Sequence, residues 1–213
     1  MKKTLTLGIV LVLLLACVGA VSANLVQNPG FESPVEGGGS YTTLTGAGLT
    51  DWTIASGGSI DLISGYWQKH TGVQSIDLAG NEAGTISQTI DVGNNQICSL
   101  SFWMAGNPDQ QGVKTLEVKF GSNTRSFTFD SSGHTREAMG WEEKTASGLT
   151  ATGLTTLQFV DTSSGPYGPA LDDISMECRD QIPVPEFPTV ALPAALIVGL
   201  IGAVLFIQKS KEE

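Results

Sequence analysis

The chain has 213 residues and a formal net charge of −10, from 21 acidic and 11 basic side chains. That balance excludes a nucleic-acid partner, because phosphate binding needs clustered Lys and Arg. Between two apolar ends there is room for one domain with a proper core, and 26 glycines among many Ser and Thr residues favour short strands and turns over helices.

The N-terminus carries Lys2 and Lys3, an apolar run from Leu5 to Val18, and then Val21-Ser22-Ala23. Small residues at those two positions are what a signal peptidase reads, so residues 1–23 are predicted to be a secretory signal peptide outside the fold. Leu14-Leu15-Ala16-Cys17 is a rival, lipoprotein-like cleavage point with Leu15 a poor fit, and an uncleaved N-terminal helix is a third option.

Residues 24–181 are predicted to form one all-β domain. Apolar alternation marks strands at 59–63, 73–78, 84–90, 97–105, 155–161 and 170–178. At 115–120, Leu116, Val118 and Phe120 share one side; Gly121-Ser122-Asn123 turns the chain, and 125–129 returns as the second arm of a hairpin. Roughly eight to ten short strands with frequent turns imply a sandwich or jelly roll.

Within the strand at 97–105, Cys98, Leu100, Phe102 and Met104 share one parity and are assigned to the core. Ser99, Ser101 and Trp103 share the other, which places Trp103 on a face open to water or ligand unless a loop covers it. Cys98 and Cys178 remain after signal removal, both facing inward near strand ends in an oxidising compartment. A disulfide is expected, with two buried free thiols as the alternative.

Trp52, Tyr66, Trp67, Trp103, Trp141 and Tyr167 are the candidate carbohydrate-binding residues. All but Trp103 fall in Gly-rich polar segments; sugar rings stack on such side chains, and neighbouring Asn, Gln and Asp read hydroxyls. The alternative is that several of them plug the ends of the sandwich. Catalysis has little support. His70 and His134 are the only histidines and form no defensible triad, while Asp61 and Asp77, in similar Ser-Ile-Asp-Leu contexts, sit in alternating strands. The domain is read as a non-enzyme. It contains no Asn-X-Ser/Thr sequon.

The C-terminus reads in three parts. Residues 182–188 form a Pro-rich linker, 189–207 an uncharged apolar run, and 208–213 a short tail with Lys209 and Lys211. About 20 helical residues span a bilayer core, so 189–207 is predicted to be a transmembrane segment with the lysines inside the cell. Pro185-Glu186-Phe187 before an apolar helix and a basic end resembles the PEF-CTERM sorting signals of archaeal surface proteins. That resemblance implies an archaeosortase-type processing enzyme as partner. A plain membrane anchor is the alternative, and the acidic Glu212-Glu213 end is a departure from the pattern.

An ordered series of segments carries a second resemblance. It begins with Asn24-Leu25-Val26-Gln27-Asn28-Pro29-Gly30-Phe31-Glu32 and continues through Gly58-Ser59-Ile60-Asp61-Leu62-Ile63, Tyr66-Trp67 and Gln74-Ser75-Ile76-Asp77-Leu78-Ala79-Gly80-Asn81. Gly84–Thr89, Ala105-Gly106-Asn107-Pro108-Asp109, Met139-Gly140-Trp141 and Gly165–Ile174 complete it. The series resembles the choice-of-anchor C family, relatives of plant cell-wall proteins. The resemblance implies a galactose-binding-like jelly roll and a link to polysaccharide. In such modules the opening Asn-Pro-Gly-Phe-Glu and closing Leu-Asp-Asp-Ile often meet at a structural Ca²⁺, which carries over to Glu32 and Asp172, with Asp173 a weaker candidate. Asp172 shares the parity of Ile174 and so is expected to point toward the core, where a carboxylate needs a partner. Hydrogen bonding to backbone N–H groups is the alternative role.

The expected molecule is a jelly-roll domain on the outer face of the cell membrane that binds cell-surface or extracellular polysaccharide. The second reading is a structural or adhesive surface protein that binds another protein and has no sugar site.

Overall fold

The computed structural model describes residues 23–37 and 39–181. Residues 1–22 of the predicted signal peptide, and the predicted Pro-rich linker, transmembrane segment and tail at 182–213, lie outside these residues. Among the described residues there is no helix long and apolar enough to cross a membrane.

Eleven strands form the domain: β1 (Tyr41–Leu44), β2 (Thr53–Ile54), β3 (Ile60–Ile63), β4 (Ser75–Asp77), β5 (Thr85–Asp91), β6 (Gln96–Gly106), β7 (Val113–Phe120), β8 (Asn123–Asp130), β9 (Glu142–Ala151), β10 (Leu154–Asp161) and β11 (Pro169–Asp180). They pair antiparallel into two sheets, ordered β1-β3-β4-β11-β6-β9 and β2-β5-β10-β7-β8. The chain passes repeatedly from one sheet to the other, which is jelly-roll wiring.

The hairpin of β7 and β8 shows why the pattern folds this way. Leu116, Val118 and Phe120 point inward, Gly121 takes φ 57°, and β8 returns with Leu116 opposite Phe127. A two-residue turn with positive φ at glycine matches the strand twist. The inner faces of the sheets meet through aromatic edges. Phe102 of β6 lies 5.2 Å from Phe159 of β10 and 5.1 Å from Phe127 of β8, both at right angles. Leu100, Phe102 and Met104 are buried and Ser99 is exposed, as the alternation required.

The opening segment runs beside the last strand. Leu25 N–H donates to the Met176 carbonyl, Met176 N–H to Asn24 Oδ1, and Ile174 N–H to the Pro29 carbonyl. Cys98 and Cys178 are directly opposed on β6 and β11 and form the disulfide, with Cα atoms 4.0 Å apart.

One expectation fails at β11. Its register with β6 shifts between Asp172 and Ser175, with Asp173 at φ 46°. This bulge adds a residue, so counting parity backward from Ile174 gives the wrong face. Asp172 pairs with Trp103 and shares its outer face, because directly opposed side chains point the same way. Asp172 is nevertheless fully buried, covered by the 64–74 loop described next.

Candidate functional site

The outer face of the first sheet is built from cross-strand neighbours. Thr43 of β1 opposes Asp61 of β3, and Asp61 opposes Asp77 of β4, so three polar side chains form a row. Tyr41 and Ile63 continue the same face one pair along. Loops close around this floor and leave a cleft of about 200 Å³. Tyr66 and Trp67 come from the β3–β4 loop, Asn81 from the β4–β5 turn, Asn107 and Asp109 from the end of β6, and Pro166 and Tyr167 from the β10–β11 loop.

The wall formed by Tyr66, Trp67 and Asp109 is tied in place. Tyr66 donates its hydroxyl to Asp109 Oδ2 at 2.6 Å, and Arg136 grips both oxygens of Asp109 at 2.8 and 2.7 Å. The same guanidinium lies 3.9 Å from the Tyr66 ring centre and also hydrogen-bonds the Tyr66 hydroxyl. Tyr41 meets Tyr66 edge-on at 5.2 Å. Trp67 is 5% exposed and donates its indole N–H to Ser75 Oγ at 3.0 Å. The Tyr66 and Trp67 rings are therefore held before any ligand arrives.

The electrostatics follow from these contacts. The Arg136 guanidinium holds the Asp109 carboxyl below the usual carboxylate range, and the bond to Asp109 pushes the Tyr66 phenol up to about 12. Burial raises Asp61 and pushes Asp77 up to about 8. Asp77 accepts from Ala79 N–H and Gly168 N–H at Oδ1 and from Asn107 Nδ2 at Oδ2, so it knits three loops together. Asp61 and Asp77 do lie side by side, but Asp77 serves as a structural acceptor.

Of the six candidate aromatics, Tyr66, Trp67 and Tyr167 converge on the cleft. Trp52 does not. It is 2% exposed, with its ring 5.8 Å from Phe31 and 6.1 Å from Phe159 in the core, and its indole N–H goes to the Asn28 carbonyl. Trp103 and Trp141 lie elsewhere on the outer face. His70 of the 64–74 loop stacks on Trp103 at 3.7 Å and meets Trp141 edge-on, so of the two readings for Trp103 the structure takes the one in which a loop covers it. Tyr41, Thr43, Asn107 and Arg136 were given no role from sequence. Asn81, Asn107 and Asp109 do fall inside the motif segments at 74–81 and 105–109, where a polar residue beside Gly or Pro at a strand end is the signal that could have found them.

Glu32 and Asp172 hold down the 64–74 loop. Glu32 Oε1 accepts from Val73 and Gln74 N–H at 2.9 and 3.3 Å, and Asp172 Oδ2 from His70 and Thr71 N–H at 3.0 and 3.2 Å. Asp173 pairs with His70 Nδ1 at 2.6 Å and accepts from the Thr71 hydroxyl. A Cβ on Gly30 would come within 3.4 Å of Asp173 Oδ1, 3.6 Å of Asp172 Oδ1 and 3.7 Å of Glu32 Cγ, so the three acidic side chains gather about the opening turn. Burial, and then the adjacent Asp173 charge, push Asp172 up to about 7. Among the described residues no group of three or more His, Cys, Asp or Glu side chains is arranged to hold a metal ion.

A profile of the family described as "Protein of unknown function (DUF642)" matches residues 24–177. The chain belongs to the DUF642 family. The match covers the stretch that carried the resemblance to plant cell-wall-related proteins. C-terminal to the DUF642 domain, residues 184–202 match the PEF-CTERM archaeal protein sorting domain. Over 202 residues the chain is 33% identical to halomucin of Haloquadratum walsbyi; the alignment covers 86% of this chain and 2% of halomucin, so the chain spans a small fraction of that relative. Among solved structures, the DUF642 domain is similar to TmCBM61 in complex with β-1,4-galactotriose, at TM-score 0.49 and 20% identity over 74% of this chain and 100% of that one. It is also similar to a family 35 carbohydrate binding module from Clostridium thermocellum, at TM-score 0.46 and 16% identity over 63% and 97% of the two chains.

Proposed function

We propose that this DUF642 domain is a non-catalytic carbohydrate-binding module displayed on the cell surface, and that the cleft between Tyr41, Tyr66 and Tyr167 is its sugar site. One observation carries the reading: aromatic rings and Asn side chains surround a floor of Thr and Asp side chains, the combination that stacks on a pyranose and reads its hydroxyls. The sorting domain at 184–202 supports display outside the cell, with processing by an archaeosortase-type enzyme at Pro185-Glu186-Phe187 and attachment to the membrane through the C-terminal segment. A glycan array probed with residues 24–181, first shown to melt cooperatively, tests the reading. Binding to a defined saccharide set supports it. A blank array, with the same domain binding a surface protein, would favour the adhesive role.

A structural Ca²⁺ belongs to the same proposal, with Glu32 and Asp172 as its carboxylate ligands and Asp173 beside them. The donors are hard oxygens of the kind Ca²⁺ takes. Asp172 is fully buried next to a like charge, and a divalent cation would relieve that cost. The ion would fasten the opening turn to β11, away from the cleft. A ligand at a hundred times its Kd adds about 2.7 kcal/mol to the folded state. EDTA should therefore lower the Tm by several degrees, and Asp172→Ala should abolish that sensitivity. An unchanged melt together with no calcium by elemental analysis would leave these carboxylates as hydrogen-bond acceptors only.

A further inference from the structure

The polar groups of the cleft differ in what they have left to offer. Asp77 spends both oxygens on Ala79, Gly168 and Asn107, and Asp109 spends both on Arg136 and Tyr66. Asp61 is held by one bond, from Thr43 Oγ1 to its Oδ1 at 2.6 Å. Among the described residues its Oδ2 has no hydrogen-bond donor. No Lys or Arg lines the cleft, and Arg136 stands on the Tyr66 ring with its charge matched by Asp109.

We propose that the cleft accepts a non-anionic sugar residue, a neutral hexose or a hexosamine, and that Asp61 is the residue that sets this specificity. The proposal rests on the saccharide-binding reading above and deepens it. An ionised carboxylate only accepts hydrogen bonds. Asp61 Oδ2 can therefore take a sugar hydroxyl or ammonium as donor, and a charged partner makes such a bond stronger than a neutral one. A uronate or sulfate ester would bring a second negative charge toward Asp61 with no cation to receive it. A buried polar or charged group left without a partner is the strongest basis for rejecting a close analogue. The chain's net charge of −10 acts in the same direction at longer range. The rest of the lining fits a neutral ligand, since the Tyr41 and Tyr167 hydroxyls and the Asn81 carboxamide both donate and accept. The volume, about 200 Å³, is below the ~300–1,000 Å³ of sites for drug-sized ligands, so the cleft holds a single sugar residue or a chain end.

The test is calorimetric titration of the full-length protein in detergent with length-matched neutral, hexosamine and uronate oligosaccharides. The wild type should bind the neutral or hexosamine ligand at least tenfold more tightly than the uronate. In Asp61→Asn, checked by its melting curve, that ratio should fall below threefold. Tyr167→Ala should weaken all ligands that bind while leaving the ratio unchanged. Equal affinity of the wild type for the uronate, or an unchanged ratio in Asp61→Asn, overturns the specificity proposal while the sugar site stands. Absence of binding to every saccharide overturns both. Should Asp61→Asn fail to fold, the wild-type ratio alone decides.

Discussion

Trp52 and Tyr167 were both read as ring donors to a ligand, and their surroundings separate them. Trp52 fills the core between Phe31 and Phe159, while Tyr167 is 37% exposed at the cleft mouth. Trp52→Ala should cost about 3–5 kcal/mol, the usual range for a deleted core aromatic. Tyr167→Ala should stay within about 0.5 kcal/mol of wild type, as surface changes do, yet weaken sugar binding; denaturant melts and titrations on the two variants check the contrast. Asp77 gives a pH signature. An unfolded Asp titrates near ~3.9, and burial lifts the folded group to about 8. Between those values the folded state holds the extra proton, so stability falls as pH rises through the window. Asp172, pushed up to about 7 chiefly by burial, and Asp61 and Asp161, also raised by burial, act in the same sense. The Tm should therefore drop from pH 5 to pH 8, and Asp77→Asn should flatten the slope; a Tm that rises with pH in the wild type would contradict this.

At the scale of elements, β6 and β11 are the spine of the first sheet, and the disulfide rivets them at Cys98 and Cys178 across 80 residues of chain. Chain-entropy arguments put such a cross-link at about 4 kcal/mol. The Cys98→Ala/Cys178→Ala pair should lose roughly that amount in denaturant melts, and thiol labelling of unfolded, unreduced residues 24–181, which lack Cys17, should find no free cysteine. The strands legible in the sequence were those whose inward residues alternate cleanly, such as Leu116, Val118 and Phe120 of β7. β9 was not legible because only Ala146 and Leu149 of its ten residues are buried, and its register with β6 also shifts. β1 and β2 are too short and too exposed to show a period. The bulge at Asp173 misled the placement of Asp172, since alternation has no term for an inserted residue. The cleft was half legible: its aromatic loops were visible as Gly-rich polar segments, whereas Tyr41 and Thr43 enter it through strand pairing, and Arg136 braces its Tyr66 and Asp109 wall through contacts that act over long sequence distances.

At the scale of the whole molecule, the β-domain is followed by a sorting domain at 184–202, the arrangement on which the proposed surface display rests. If the sorting domain at 184–202 is processed, mass spectrometry of mature surface protein should find chains ending near Phe187. Recovery of a C-terminal peptide running to Glu213 would reduce the segment to a plain anchor. Amide chemical-shift mapping of residues 24–181 with a saccharide identified on the array tests the location of the sugar site most directly. Shifts should concentrate at Tyr41, Asp61, Tyr66, Asn81, Asp109 and Tyr167, and leave Trp52 and the Ser99–Ser101 face unmoved. Perturbations centred on Ser99, Ser101 and Trp103, with the cleft silent, would contradict it.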